Sequence, residues 1–319
     1  MDFFAQLLVQ FNRSLPLFLL MGLGYVLSRW CGFDKKASAA MSRFALFVSL
    51  SAFLFRTMVN IFGSGQTFDP RVLIAFFGAC VIVFLFGRFI LAKFLGLDPV
   101  AGTVAGIACV FSNNGMLGLP LAMALLGESV IPTIAAVLSV NAMFLWTVAT
   151  FFVELARRTG KLSCKSLLIT FGHVFRNPLI LAIFSGVLYG LTGLGIPYVI
   201  DVPLKMLADS ATPLCLIVVG MGLSEYGLGA GFAKGLAISL VKLFVMPLTV
   251  FALTRVLGMG PVETMGVVFL GCLPLGVNVY IMARQFDAAQ GECADAMLIT
   301  TVACAFTVPL AVTILQNIL

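Results

Sequence analysis

The chain has 319 residues, of which 61% are hydrophobic and only 10% are charged, and its mean hydropathy is +1.13. Because soluble globular domains are about 25% charged, this composition excludes a water-soluble fold and indicates an integral membrane protein. The formal net charge of +6 does not indicate a nucleic-acid-binding protein, since the basic residues fall between apolar segments rather than on one face.

Ten segments are apolar and long enough to cross a membrane, which requires about 20 mostly apolar residues per helix. They cover residues 9–30, 38–61, 71–95, 100–126, 130–154, 178–195, 204–224, 233–257, 262–285 and 294–317. The pattern predicts an all-α polytopic membrane protein with ten transmembrane helices. The longest polar connection, residues 157–177, is basic and divides the chain into residues 1–156 and residues 178–319.

The positions of Lys and Arg predict the orientation, because short cytoplasmic loops carry an excess of both. Thirteen Lys and Arg residues lie in or beside the loops that follow the odd-numbered segments, and five lie on the opposite side of the membrane. These five are Arg13, Arg56, Arg71, Lys205 and Arg255. We therefore expect a protein of the cytoplasmic membrane in which the linker 157–177 is cytoplasmic and both termini face outward.

The two halves of the chain resemble each other. A shift of 162 residues places Pro16 on Pro178 and Gly24 on Gly186, so the first segment of each half carries proline and glycine at the same spacing. Each half contains five predicted helices, and because five is odd the halves would enter the membrane from opposite faces. The sequence predicts two inverted five-helix repeats joined by the basic linker.

The fourth segment of each half contains helix-breaking residues. Residues 112–120 combine two asparagines, two glycines and a proline, and residues 271–278 combine two glycines, a proline and an asparagine. Proline removes a backbone donor, and glycine costs roughly 1 kcal/mol against alanine in a helix interior. We predict that helices 4 and 9 are broken and cross at membrane depth, where carriers bind solutes. The alternative is two proline-kinked packing helices.

Two broken helices would bring half-helix N-termini together, and these carry partial positive charge and free N–H groups that attract carboxylates. Asn113, Asn114 and Asn278 can donate hydrogen bonds to an anion without adding a fixed charge. Asn141, in the middle of the fifth helix of the first half, is a further candidate for the pocket wall. The alternative is that these asparagines only cap the broken backbone or bond neighbouring helices.

Two ionisable residues lie inside predicted spans, where charges are costly and tend to face a water-filled cavity or the bundle interior. Asp209 and Lys242 are the candidates for a proton or cation-coupling site. They could instead form a structural pair, and Lys242 could extend its amino group to the membrane surface.

Composition and motifs provide no evidence for an enzyme or a bound cofactor. The eight cysteines are scattered without a CxxC motif, and the one histidine, His173, cannot form a histidine metal site. We find no catalytic constellation and no phosphate-binding glycine motif, so we expect neither a metal nor catalytic residues.

The stretch Asn113–Pro120 resembles the fourth-helix motif of the auxin efflux carrier family, which includes plant auxin carriers and bacterial permeases for malonate or malate. The resemblance extends along most of the chain to Arg176-Asn177-Pro178, Ala211-Thr212-Pro213-Leu214, Pro274 with Tyr280 and Ala283, and Thr300 with Pro309. The chain departs from the family at Ser51, where members usually carry proline, and a second helix less kinked than usual is expected.

The resemblance implies a secondary transporter that moves a small organic carboxylate anion by an elevator-type movement, and family members are often dimers. The substrate would be a malonate- or malate-like dicarboxylate or an auxin-like monocarboxylate, with coupling to H⁺, to Na⁺ or to neither. The alternatives are a sodium-coupled symporter of the bile-acid symporter type and a non-transporting membrane sensor. The candidate substrate-binding residues are Asn113, Asn114, Gly115, Pro120, Asn141, Pro274, Asn278 and Tyr280.

Overall fold

The computed structural model describes residues 3–63, 69–157, 178–224, 229 and 231–319. Within these ranges the regular structure is helical, as predicted. The helices are α1 (Phe3–Trp30), α2 (Lys35–Gly63), α3 (Arg71–Phe94), α4 (Pro99–Ala108), α5 (Asn114–Leu125), α6 (Glu128–Ala156), α7 (Pro178–Leu191), α8 (Tyr198–Leu223), α9 (Phe232–Val256), α10 (Pro261–Cys272), α11 (Val277–Phe286) and α12 (Gln290–Ile318). Of the predicted linker 157–177, all but Arg157 lies outside the described residues.

Each of the ten predicted segments coincides with one helix or with one interrupted pair. In the described part of the chain, seven helices are long and apolar enough to cross a membrane, namely α1, α2, α3, α6, α8, α9 and α12. The fourth segment is the pair α4 and α5, and the ninth is the pair α10 and α11. Both segments are interrupted where the sequence predicts a break.

Large apolar side chains cover much of the outer surface. Phe94 is 84% exposed and Val199 is 83% exposed, while Phe76 and Phe269 in the interior are fully buried. In water such a surface would be strongly unfavourable, whereas in a bilayer it faces lipid tails. This distribution identifies a multi-pass membrane protein.

The helices pack closely at positions where glycine replaces a side chain. A methyl group added to Gly24 would overlap the carbonyl oxygen of Ile217, so the backbones of α1 and α8 are in direct contact. In the same way, a methyl group on Gly186 would lie 2.6 Å from the carbonyl oxygen of Phe55, which joins α7 to α2. Small residues are the usual means of close approach between helices in membranes.

These two contacts are related by the same shift that aligns the halves of the sequence. Gly24 and Gly186 differ by 162 positions, and so do Phe55 and Ile217. The first helix of each half therefore packs on the second helix of the other half through equivalent residues, so the two halves interlock.

Helix α2 is distorted next to Ser51, although the proline of the family is missing there. A π-helical turn spans Ala45–Leu50, and the Ser51 hydroxyl donates a hydrogen bond of 2.8 Å to the carbonyl oxygen of Leu46. The serine thus binds a carbonyl oxygen beside the irregular turn. A π-helical turn is therefore present in the second helix without a proline, and the expectation of a helix less kinked than usual for the family stays a prediction.

The glycine contact between α1 and α8 yields a matched test. Replacing Gly24 with alanine forces the added methyl group against backbone that cannot rotate away, and we expect destabilisation of about 1–3 kcal/mol. Replacing Gly22 with alanine, in the same helix, meets no atom within 4 Å and should be neutral or stabilise by up to about 1 kcal/mol. Thermal unfolding of the purified variants in detergent measures both; equal melting temperatures would contradict this packing.

Candidate functional site

The two helix breaks lie against each other and share backbone hydrogen bonds. The N–H of Asn113 donates to the carbonyl oxygen of Pro274 at 2.9 Å, and the N–H of Gly276 donates to the carbonyl oxygen of Phe111 at 2.9 Å. Together they form a short antiparallel bridge between Ser112 and Leu275. Each break therefore satisfies backbone groups that the other leaves without an intrahelical partner.

Local sequence explains why the chain leaves the helix at these points. Leu273 is extended, with φ of −68° and ψ of 153°, as expected for a residue before proline, and this ends α10. Gly276 is needed for close approach, because a methyl group there would lie 3.1 Å from the carbonyl oxygen of Ser112. In the first half the chain resumes with a π-helical turn from Asn114 to Gly118, which is followed by Leu119 and Pro120.

A side chain from α12 completes the second break. The N–H of Leu275 donates to Thr300 Oγ1 at 3.1 Å, and the Thr300 hydroxyl itself donates to the carbonyl oxygen of Ala296 at 2.8 Å. Thr300 is fully buried. The break in the ninth segment is thus fixed from two sides, by the first break and by α12.

A cavity of about 180 Å³ lies beside the bridge. Five predicted site residues line it together, namely Asn113, Asn114, Gly115, Asn141 and Asn278. Its walls come from three further helices, with Leu46 and Phe47 of α2, Leu138 and Ala142 of α6, and Pro178, Leu179 and Ile180 of α7. The lining contains no charged side chain among the described residues.

Several buried polar atoms in this lining have no hydrogen-bond partner. Asn114 is only 2% exposed, and both its amide nitrogen and its amide oxygen are unpartnered; the Oδ1 atom of Asn141, which is 4% exposed, and the hydroxyl of Ser112 are unpartnered too. A buried polar group without a partner costs about 1–3 kcal/mol. Unpartnered groups that converge on one cavity are what a site for an exchangeable polar ligand requires.

The cavity also receives the N-terminal ends of two half-helices. Helix α5 begins at Asn114 and α11 begins at Val277, and both residues line the cavity. The first N–H groups of a helix lack intrahelical partners, and the helix dipole adds roughly half a positive charge at this end. The geometry therefore favours a negatively charged group between the two breaks.

A second cavity, of about 240 Å³, touches the bridge from another direction. Asn113, Met116 and Val277 line both cavities. Lys35, Ser38 and Ser42 of α2 and Thr301 of α12 line only the second. Asn113 therefore stands between two cavities rather than at the end of one.

A family model described as membrane transport protein matches residues 10–312. The chain belongs to this family of membrane transport proteins. It is similar to a protein of Rhizobium meliloti (strain 1021) named "Putative malonate transporter", with 26% identity over 299 residues and 92% of each chain covered. It is also similar to an uncharacterized transporter of Methanocaldococcus jannaschii, with 24% identity over 302 residues, covering 92% of this chain and 95% of the relative.

Three predicted site residues of the transporter do not line the cavity of about 180 Å³. Pro120 is buried inside α5, Pro274 supplies its carbonyl oxygen to the bridge, and Tyr280 lies farther along α11. Sequence reasoning missed Ser112, Phe47 and Pro178 as lining residues. Ser112 could have been found from its place beside the asparagines, whereas Phe47 and Pro178 are brought in by tertiary packing.

The two ionisable candidates lie in different surroundings and are not paired with each other. Asp209 is exposed in α8 and lines a third cavity of about 570 Å³, together with Arg56, Asn60, Glu128 and Lys205. Lys242 is fully buried in α9, and its Nζ donates to the carbonyl oxygen of Gly271 at 2.7 Å. The expectation that Lys242 extends to the membrane surface is therefore wrong, because a backbone acceptor holds it inside.

No group of three or more His, Cys, Asp or Glu side chains in the described part of the chain could hold a metal ion.

Thr300 gives a test of how the second break is held. Replacing Thr300 with valine removes the acceptor of the Leu275 N–H in a fully buried place, so we expect destabilisation of about 1–3 kcal/mol. Thr307, on the same helix, has a hydroxyl without a partner, and Thr307→Val should be neutral or stabilising. Thermal unfolding of the two variants provides the comparison, and a Thr300→Val protein as stable as wild type would refute this role.

Proposed function

We propose that this membrane transport protein is a secondary transporter for a small organic carboxylate anion, which binds where α5 and α11 begin. The observation that carries the proposal is the buried, unpartnered side-chain amide of Asn114, together with the unpartnered hydroxyl of Ser112, beside two half-helix N-termini. A carboxylate would accept hydrogen bonds from the amide N–H groups and from the free backbone N–H groups.

The lining of the cavity contains no charged side chain among the described residues, and this affects how the anion would be bound and released. A fixed positive charge would bind a carboxylate tightly, whereas neutral donors and helix dipoles bind it without a permanent ion pair. The apolar wall, with Leu46, Phe47 and Met116, suits the carbon skeleton of the substrate. A cavity of about 180 Å³ fits a molecule of a few heavy atoms, since drug-sized ligands occupy about 300–1,000 Å³.

The relative from Rhizobium meliloti, named for malonate, favours a malonate- or malate-like dicarboxylate over an auxin-like monocarboxylate. Malonate carries two carboxylates on one carbon, and two half-helix N-termini offer one binding end for each. We therefore infer that a short dicarboxylate is the preferred substrate.

We infer that transport proceeds by alternating access, with the two breaks moving together as an elevator. The hydrogen-bonded bridge supports movement of the breaks as one unit, and the position of Asn113 between two cavities supports access from more than one direction. The equivalent contacts of Gly24 and Gly186 support ten helices in two inverted repeats. The positions of Lys and Arg support outward-facing termini, and a homodimer follows from the family resemblance.

Energetics restrict the direction of transport. An inside-negative potential of about 100 mV favours export of a monoanion by roughly 2.3 kcal/mol, so uncoupled transport would export. Import of a dicarboxylate would require co-transported cations. Asp209 is the candidate proton carrier, because it is an exposed carboxylate within a predicted span and lines the cavity of about 570 Å³.

The substrate site is tested by uptake of radiolabelled malonate into proteoliposomes, with malate, succinate and indole-3-acetate as competitors. Asn114→Leu and Asn278→Ala each remove donors from the cavity and should lower transport efficiency about tenfold or more, since a hydrogen bond to a charged group contributes about 1.5–3 kcal/mol. Asn12→Ala, at an exposed position of α1, is the control. Saturable malonate transport that survives both cavity variants would place the binding site elsewhere, and no transport of any of these acids would refute the substrate class.

The proton role is tested with Asp209→Asn. If Asp209 carries a coupled proton, uptake driven by an inward proton gradient should lose its dependence on external pH, because the amide cannot titrate. Initial rates of wild type and variant across a range of external pH give the answer. Asp69→Asn, which removes a carboxylate paired with Arg71 rather than one in this cavity, is the matched control, and an unchanged pH profile in Asp209→Asn would rule the role out.

A further inference from the structure

Lys242 is a buried cation that the proposed substrate site does not use. Its side chain is 0% exposed, and it lies in a π-helical turn of α9 from Val241 to Val245. Such turns often mark functional positions. Taking an ammonium group out of water is costly unless nearby negative charge compensates it, so the surroundings of Lys242 must supply that charge.

No carboxylate provides this compensation within the described residues. The ion pairs there join Arg56 to Asp201, Arg71 to Asp69 and Lys234 to Glu292. The ionisable groups close enough to interact electrostatically with Lys242 are the buried thiols of Cys80, Cys109 and Cys272, which are uncharged as thiols.

The remaining source of negative charge is the carbonyl end of a half-helix. Helix α10 ends at Cys272. The C-terminal end of a helix carries roughly −0.5 of a charge. Because Lys242 Nζ binds the carbonyl oxygen of Gly271, its ammonium lies at this end of α10.

The hydrogen bond of Lys242 shows how the break creates this position. In an unbroken helix the carbonyl oxygen of Gly271 would accept from the N–H of Leu275. That N–H donates instead to Thr300 Oγ1, which leaves the Gly271 carbonyl free. Lys242 Nζ binds it at 2.7 Å with one of its three donors.

We propose that the Lys242 ammonium is a built-in counter-ion for the carbonyl end of α10, at the place where a sodium-coupled carrier would hold its metal ion. Carriers with broken helices bind Na⁺ through unwound carbonyls and half-helix C-termini. Here a tethered single positive charge binds such a carbonyl, that of Gly271, and cannot dissociate. Transport by this chain therefore does not use Na⁺. This consequence rests on the proposed function, whereas the cation site itself does not depend on that function.

The cation site is tested without substrate, by thermal unfolding of purified protein in NaCl, LiCl, methylammonium chloride or choline chloride at equal ionic strength. Wild type should melt at the same temperature in all four. Lys242→Gln should melt lower by about 3 °C or more in choline and regain stability in Na⁺ or methylammonium, because a free cation enters the vacated position. Lys93→Gln, at an exposed position of α3, should match wild type in every salt.

Transport provides the second readout. Wild-type malonate uptake should be equal in Na⁺ and in choline, while the uptake rate of Lys242→Gln should fall about tenfold or more in choline and recover in Na⁺.

A wild-type rate that rises several-fold with an inward Na⁺ gradient would overturn the proposal even if Lys242→Gln does not fold. So would a variant that is destabilised but indifferent to every cation, since Lys242 would then be a structural anchor. Absence of malonate transport with cation-dependent melting would refute the substrate and leave the cation site standing.

Discussion

The structure depends on the pairing of two interrupted helices through their own backbone. Lipid offers no hydrogen-bond partners, so backbone groups freed inside a membrane must be satisfied by protein or by a water-filled cavity. The N–H of Asn113 binds the carbonyl of Pro274, and the N–H of Gly276 binds the carbonyl of Phe111. Each break therefore supplies a backbone hydrogen-bond partner that the other lacks.

Backbone groups that this pairing leaves without a partner form hydrogen bonds with side chains of helices α9 and α12. Thr300 binds the N–H of Leu275 and Lys242 binds the carbonyl of Gly271. The side-chain amide of Asn114 and the Oδ1 atom of Asn141 behave differently, since they remain unpartnered although buried. The broken backbone is thus hydrogen-bonded, whereas polar side-chain atoms beside it are not.

The site sits inside a frame formed by the interlocked halves. Glycines let α1 contact α8 and α7 contact α2 at backbone distance, and α2 and α7 then supply Phe47 and Pro178 to the cavity wall. The same helices that hold the two halves together therefore also shape the binding cavity.

The sequence by itself determined the membrane class, the apolar segments, the two breaks and the asparagines beside them, because hydropathy and the effects of proline and glycine act within a few residues. Only the tertiary structure decided that Phe47 and Pro178 join the cavity while Pro120 and Tyr280 do not. It also decided where the Lys242 side chain lies, because its hydrogen-bond acceptor, the carbonyl oxygen of Gly271, is 29 residues away in the chain. Hydrogen bonds between distant segments depend on how helices pack, and no local pattern records that packing.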